Sequence, residues 1–176
     1  ALDARGVKAR GVLHGVFKSH LADPDNLGLV GEVDEVVLEP LSAAIRAGAL
    51  PVLACLGESP SGQMMNINAD MAAQELVWAV APHKVIFLTD TGGLLGPDGG
   101  IISAINLRAD FERLMQSDWV HSGMALKLKT IATTLERLPS ETSVSITSAP
   151  KLTRELFTHT GAGTLIRRGE IIEWHP

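Results

Sequence analysis

Strand-like and helix-like patterns take turns along this chain, with only short loops between them. Residues 51–56 read as a strand, 57–62 as a Gly/Ser/Pro turn cluster, and 68–80 as a helix that Pro82 stops. Residues 84–89 follow as a buried-type strand. Upstream, 7–17 reads as a strand around a glycine-rich bend, 22–31 as a loop and 33–38 as a short strand. Residues 40–49 read as a helix with Pro40 at its start and Gly48 near its end. Downstream, 97–100 makes a tight hairpin-like turn, and 108–115 and 124–138 are helices. Residues 142–147 form an alternating strand, 151–157 a helix and 164–167 a last strand. This order predicts an α/β sandwich on a mostly parallel sheet. Ligands in such sheets bind beyond the carboxyl ends of the strands, and the loops at 56–62, 89–93 and 159–163 are of that kind. No repeat or internal boundary is visible, so 1–176 reads as a single domain, with 173–176 as the start of a linker.

The 176 residues, 45% of them hydrophobic, suffice for one domain with a core. Net charge is −5 and the 15 basic residues form no long run, which argues against a nucleic-acid partner. Cys55 is the only cysteine, so no internal disulfide or cysteine-rich metal cage can form. It sits in an apolar strand and reads as a small hydrophobe. No stretch approaches the roughly 18 apolar residues of a membrane span. The first six residues are neither signal nor transit peptide. They contain no Met and read as the tail of a helix entering a turn, so the chain is expected to be a piece of a longer protein.

Three elements bear chemistry. In Gly62-Gln63-Met64-Met65-Asn66-Ile67-Asn68-Ala69-Asp70, a loop turns into a helix with Ala72, Leu76, Ala79 and Val80 on one face. Asn68 can cap that helix and Asp70 falls in its first turn, where the dipole favours a carboxylate. Asn66 and Asp70 are thereby held at a loop mouth, although a well-capped helix alone accounts equally for the pattern. The second element is Thr89-Asp90-Thr91-Gly92-Gly93 after a strand, a possible ligand loop or a plain strand exit. The third is Lys127, placed in the first turn of a helix and off its apolar stripe. A lysine there opposes the dipole and hints at an anion, though a solvated lysine is the commoner case. Together they suit phosphoryl transfer, which needs positive charge on the moving group, glycine-lined nucleotide contacts and a fixing carboxylate. No Gly-x-x-x-x-Gly-Lys-Ser/Thr or Gly-x-Ser-x-Gly is present, and the six histidines (14, 20, 83, 121, 159, 175) are scattered.

In their order, Gly57 to Asp70, Leu88-Thr-Asp-Thr-Gly-Gly93, Gly123-Met-Ala-Leu-Lys127 and Gly161-Ala-Gly-Thr164 resemble the amino acid kinase family. The run Glu155-Leu-Phe-Thr-His-Thr-Gly-Ala-Gly-Thr-Leu-Ile-Arg-Arg-Gly169 is most like the branch that acts on N-acetyl-L-glutamate in fungal and some bacterial bifunctional proteins. The resemblance covers nearly the whole chain. It implies a three-layer αβα sandwich and phosphorylation of the γ-carboxylate of N-acetyl-L-glutamate by ATP, in arginine biosynthesis, with Mg2+ carried by the nucleotide. Asn66 would contact acetylglutamate, Asp70 would organise the catalytic lysines, and Lys127 would stabilise the transferring phosphoryl. Thr89, Asp90, Thr91 and Gly93 would lie along the nucleotide. The resemblance also implies a homo-oligomer, arginine as an inhibitor, and a mitochondrial matrix location if fungal or a cytoplasmic one if bacterial.

The family's first strand, its phosphate-binding lysine and glycine-rich loop, and a substrate-gripping arginine have no counterpart in 1–176. The chain thus reads as the C-terminal two-thirds of a kinase domain, weak or inactive by itself. The alternative is a kinase-like domain that binds arginine or holds oligomers together for an acetyltransferase.

Overall fold

A computed structural model describes residues 2–120, 122–158 and 161–169. They fall into two compact units that divide between Val80 and Ala81. The expected linker at 173–176 and the start of the 159–163 loop lie outside the described residues.

The first unit runs β1 (Ala9–Val12), β2 (Phe17–Leu21), α1 (Pro24–Leu27), β3 (Gly31–Val36), α2 (Glu39–Arg46), β4 (Leu50–Leu53), β5 (Leu56–Glu58), β6 (Met64–Asn66) and α3 (Ala69–Val80). β1 and β4 pair in parallel, and β3-β2-β5-β6 make a mixed sheet. Val12, Val16, Phe17, Ile67 and Ala72 are the buried centre, with Leu41, Leu53, Cys55 and Leu76 packed around them. Cys55 thus behaves as the small hydrophobe its context suggests.

Three local expectations change here. The single strand over 7–17 is two strands, because Gly15 at φ +80° turns the chain between them. The strand over 51–56 is broken at Ala54 and Cys55, whose backbone bonds go to two neighbours: Ala54 N–H to the Val12 carbonyl, and the Cys55 carbonyl from Ile67 N–H. The loop at 22–31 contains the one-turn helix α1, capped by Asp23. By contrast, α3 and the start of α2 fall within a residue of the expected positions, the proline marking the start locally, while α2 ends at Arg46, three residues before the expected end.

The second unit runs β7 (Lys84–Leu88), β8 (Ala104–Asn106), α4 (Leu107–Met115), α5 (Ser122–Glu136), β9 (Ser143–Thr147), α6 (Leu152–Phe157) and β10 (Thr164–Arg167). The sheet order is β7-β9-β10-β8, with β7–β9 and β10–β8 parallel and β9–β10 antiparallel. The burial of two strands is the reverse of the sequence reading. β9, with its alternating pattern, is buried at every position, whereas β7 is only partly so. Sheet position decides this: β9 lies between β7 and β10, and β7 is an edge of this sheet. Along α5, Leu128, Ile131 and Leu135 are each 1% exposed and form the expected stripe. Arg168 donates to the Glu136 carbonyl at 2.9 Å, placing positive charge at the helix's negative end.

Candidate active site

The first unit carries Asn66 and Asp70. Side chains alternate through β6: Met65 and Ile67 are buried to 1% exposure, and Asn66 and Asn68 face outward. β5 leads into β6 through a hairpin in which Ser59 N–H bonds the Gln63 carbonyl and Gly62 takes φ +84°. Sequence reasoning did not find β6, because three residues between a turn and a helix are too short for a periodic signal. Gly57 faces Met65 across the ladder, and a Cβ there would overlap the Ser19 side chain and reach within 2.8 Å of Ile67 Cδ1. The hairpin is thus pressed against the core.

Asn68 caps α3 as expected. Its Oδ1 accepts the Asp70 N–H at 3.0 Å and the Met71 N–H at 3.3 Å. Asp70 occupies the first turn with its side chain exposed. Asn66 is fixed by its backbone, donating to the Leu29 carbonyl at 2.9 Å. One corner therefore presents an amide and a carboxylate four residues apart, both outward and both on rigid backbone.

The second unit carries the other candidates. Thr89 N–H extends the β7 ladder by bonding the Thr147 carbonyl at 2.8 Å. The chain then turns sharply: Gly92 N–H lies 3.2 Å from Thr89 Oγ1, and Thr91 Oγ1 donates to the Gly93 carbonyl at 2.9 Å. Asp90 and Thr91 are exposed, Thr89 is half-buried, and Gly92 and Gly93 are buried. Both glycines are demanded by the fold itself. Gly92 has φ +72°, and a Cβ on Gly93 would lie 2.5 Å from Ile101 Cγ2 and 3.0 Å from Thr164 Oγ1. Leu94 N–H donates to Thr164 Oγ1 at 2.8 Å. Thr164 is fully buried, and its role as acceptor was not readable from the 161–164 motif, where nothing marks a long-range partner. The hairpin at 97–100 forms as expected, with Gly96 N–H bonded to the Gly100 carbonyl.

Lys127 is the sixth residue of α5, not in its first turn, because the helix begins at Ser122. It borders the buried stripe, four residues before Ile131, and is half-buried.

Asn66 and Asp70 come together at one corner, and Thr89, Asp90, Thr91 and Gly93 in one turn. Among the described residues, no three His, Cys, Asp or Glu side chains gather as a metal-binding group. No described helix is long and apolar enough to cross a membrane.

Residues 1–148 match the model of the amino acid kinase family, and the chain belongs to that family. Acetylglutamate kinase of Xylella fastidiosa strain 9a5c is 54% identical over 170 residues, covering 97% of this chain and 40% of the relative. The mitochondrial protein arg-6 of Neurospora crassa is 44% identical over 172 residues, covering 98% of this chain and 20% of the relative. The chain therefore spans less than half the length of these curated relatives. Among solved structures, N-acetylglutamate synthase from Neisseria gonorrhoeae, complexed with coenzyme A and L-arginine, superposes with a TM-score of 0.76 at 20% identity. That match covers 93% of this chain and 38% of the other. The amino acid kinase fold expected from the motifs is the fold observed.

Proposed function

We propose that the protein carrying this chain transfers the γ-phosphoryl group of ATP to the γ-carboxylate of N-acetyl-L-glutamate. The observation that carries the reading is the β6–α3 corner, where Asn66 and Asp70 stand on backbone fixed by the core and by the Asn68 cap. Similarity to a bacterial acetylglutamate kinase across 97% of the chain supports it.

Phosphoryl transfer asks little covalent chemistry of the protein and much positioning of charge. Asn66 offers an amide that can both donate to the substrate's carboxylate and accept from its acetamido N–H. Asp70 orients the catalytic ammonium groups without touching the phosphoryl group. Lys127 neutralises charge as it builds on the transferring and leaving oxygens. Thr89, Asp90, Thr91 and Gly93 lie along the nucleotide. Mg2+, carried by the nucleotide's phosphates, would supply further neutralisation when bound. The protein works as a homo-oligomer, with arginine as its inhibitor. It resides in the mitochondrial matrix in a fungal host and in the cytoplasm in a bacterial one.

A second reading draws on the fold likeness to an arginine-bound synthase: the domain binds arginine or holds oligomers together for an acetyltransferase. A coupled ATP assay with N-acetylglutamate, run on the whole protein, separates the two. Turnover abolished by Lys127→Ala supports the kinase; arginine binding without any turnover supports the regulatory domain.

A further inference from the structure

A polar cluster in the second unit stands apart from the residues above. Glu155, in α6, is only 3% exposed. Burial pushes its carboxyl upward, but Lys84 and the Ala162 N–H more than reverse this and hold it below the ordinary carboxylate range. Lys84 Nζ lies 2.8 Å from Oε1 and also donates to the Glu155 carbonyl at 3.1 Å. The Ala162 N–H donates to Oε2 at 2.8 Å.

The segment this carboxylate grips has almost no freedom. Gly161 has φ +62°, and a Cβ there would lie 2.5 Å from Oε2. A Cβ on Gly163 would overlap the Ile146 carbonyl and come within 3.0 Å of the Gly92 carbonyl. The next residue, Thr164, receives the Leu94 N–H. Residues 161–164 are thus clamped by Glu155 at one end and packed against the 92–94 turn at the other. Glu155 is buried while a third of the Lys84 side chain stays exposed, and the carboxylate's grip on a segment packed behind this turn points to positioning.

We propose that Glu155 is a positioning residue for nucleotide binding: its carboxylate, held by Lys84, sets the 161–164 segment that backs the 89–93 turn. The inference rests on the nucleotide reading of that turn. The experiment is equilibrium binding of ADP and, separately, of N-acetylglutamate to the whole protein, its Glu155→Gln variant and its Gly161→Ala variant. Circular dichroism checks the fold. Glu155→Gln removes the charge at constant shape. Gly161→Ala keeps both charges but drives a methyl against the Glu155 carboxylate and strains the φ +62° backbone, so it displaces the clamped segment from its grip and decides the matter if the first variant fails to fold.

The expected result is nucleotide affinity weakened about tenfold in both variants, ~1.4 kcal/mol, with acetylglutamate affinity unchanged. Unaltered ADP affinity in Gly161→Ala overturns the proposal, as does an equal loss for both ligands, which marks a merely structural role. If the unmutated protein binds acetylglutamate but no ADP, the nucleotide reading of the 89–93 turn fails before Glu155 is reached.

Discussion

Asn68 Oδ1 lies 3.0 Å from the Asp70 backbone nitrogen, so the residue that caps α3 also fixes the candidate carboxylate. Replacing Asn68 by Ala frees the first-turn N–H groups and costs about 1 kcal/mol of stability. Urea denaturation of the whole protein measures that loss. Turnover should fall by more than the loss of folded protein explains, because Asp70 loses its fixed backbone. Turnover per folded molecule equal to that of the unmutated protein would show that the cap serves the helix alone.

Thr164 and Leu94 make a second such pair. The Leu94 N–H has its acceptor in a fully buried hydroxyl, and Thr164→Val removes that acceptor at nearly constant volume. The buried N–H is then stranded, at about 1–3 kcal/mol. Thr164→Ser should restore most of the stability, since the hydroxyl and not the methyl carries the bond. Thermal melting of the two variants side by side checks this, and equal midpoints would contradict it.

Gly57 has no room for a side chain between Ser19 and Ile67. Gly57→Ala should destabilise by about 1–3 kcal/mol through overpacking. Pairing it with Ser19→Gly clears the nearest obstruction and should recover part of the loss. A double-mutant cycle on denaturation midpoints reads the coupling; strict additivity would place the strain elsewhere.

The Lys84–Glu155 pair also makes a prediction about acid. Glu155 has a folded-state pKa below its ordinary 4.5. At pH values between the two, the unfolded chain binds more protons, so stability rises with pH there. The contribution is fully present above the ordinary value and is lost as pH falls through the lower folded one. Denaturation midpoints of unmutated protein and Glu155→Gln should therefore converge on acidification below pH 4.5. A difference that stays constant down to strong acid would mean that the carboxylate's charge is not what Lys84 and Ala162 respond to.

The parts of this molecule that could be read in advance are those governed by local rules. Proline and glycine bound α2, Asn68 caps α3, and the α5 stripe of Leu128, Ile131 and Leu135 repeats at helical spacing. Asp70 was readable in the first turn of its helix and Thr89 to Gly93 at the exit of a strand, where they stand. What stayed hidden depends on distant partners. Ser143, Ser145 and Thr147 look half-exposed in sequence, yet β9 is flanked by two strands and buried throughout. Thr164 and Glu155 are ordinary residues until Leu94, Lys84 and Ala162 are brought to them. Gly93 suggested a ligand's approach, but Ile101 and Thr164 already occupy the space its side chain would fill. Lys127 was assigned to the first turn because the beginning of α5 carries no strong boundary signal.

The most direct test is steady-state turnover of ATP with N-acetylglutamate by the whole protein and its Asp70→Asn and Lys127→Ala variants. The account predicts acyl-phosphate formation that falls by at least about a hundredfold in each variant, as expected when preorganised charge is removed from a phosphoryl-transfer site. Turnover unchanged by both substitutions would contradict it.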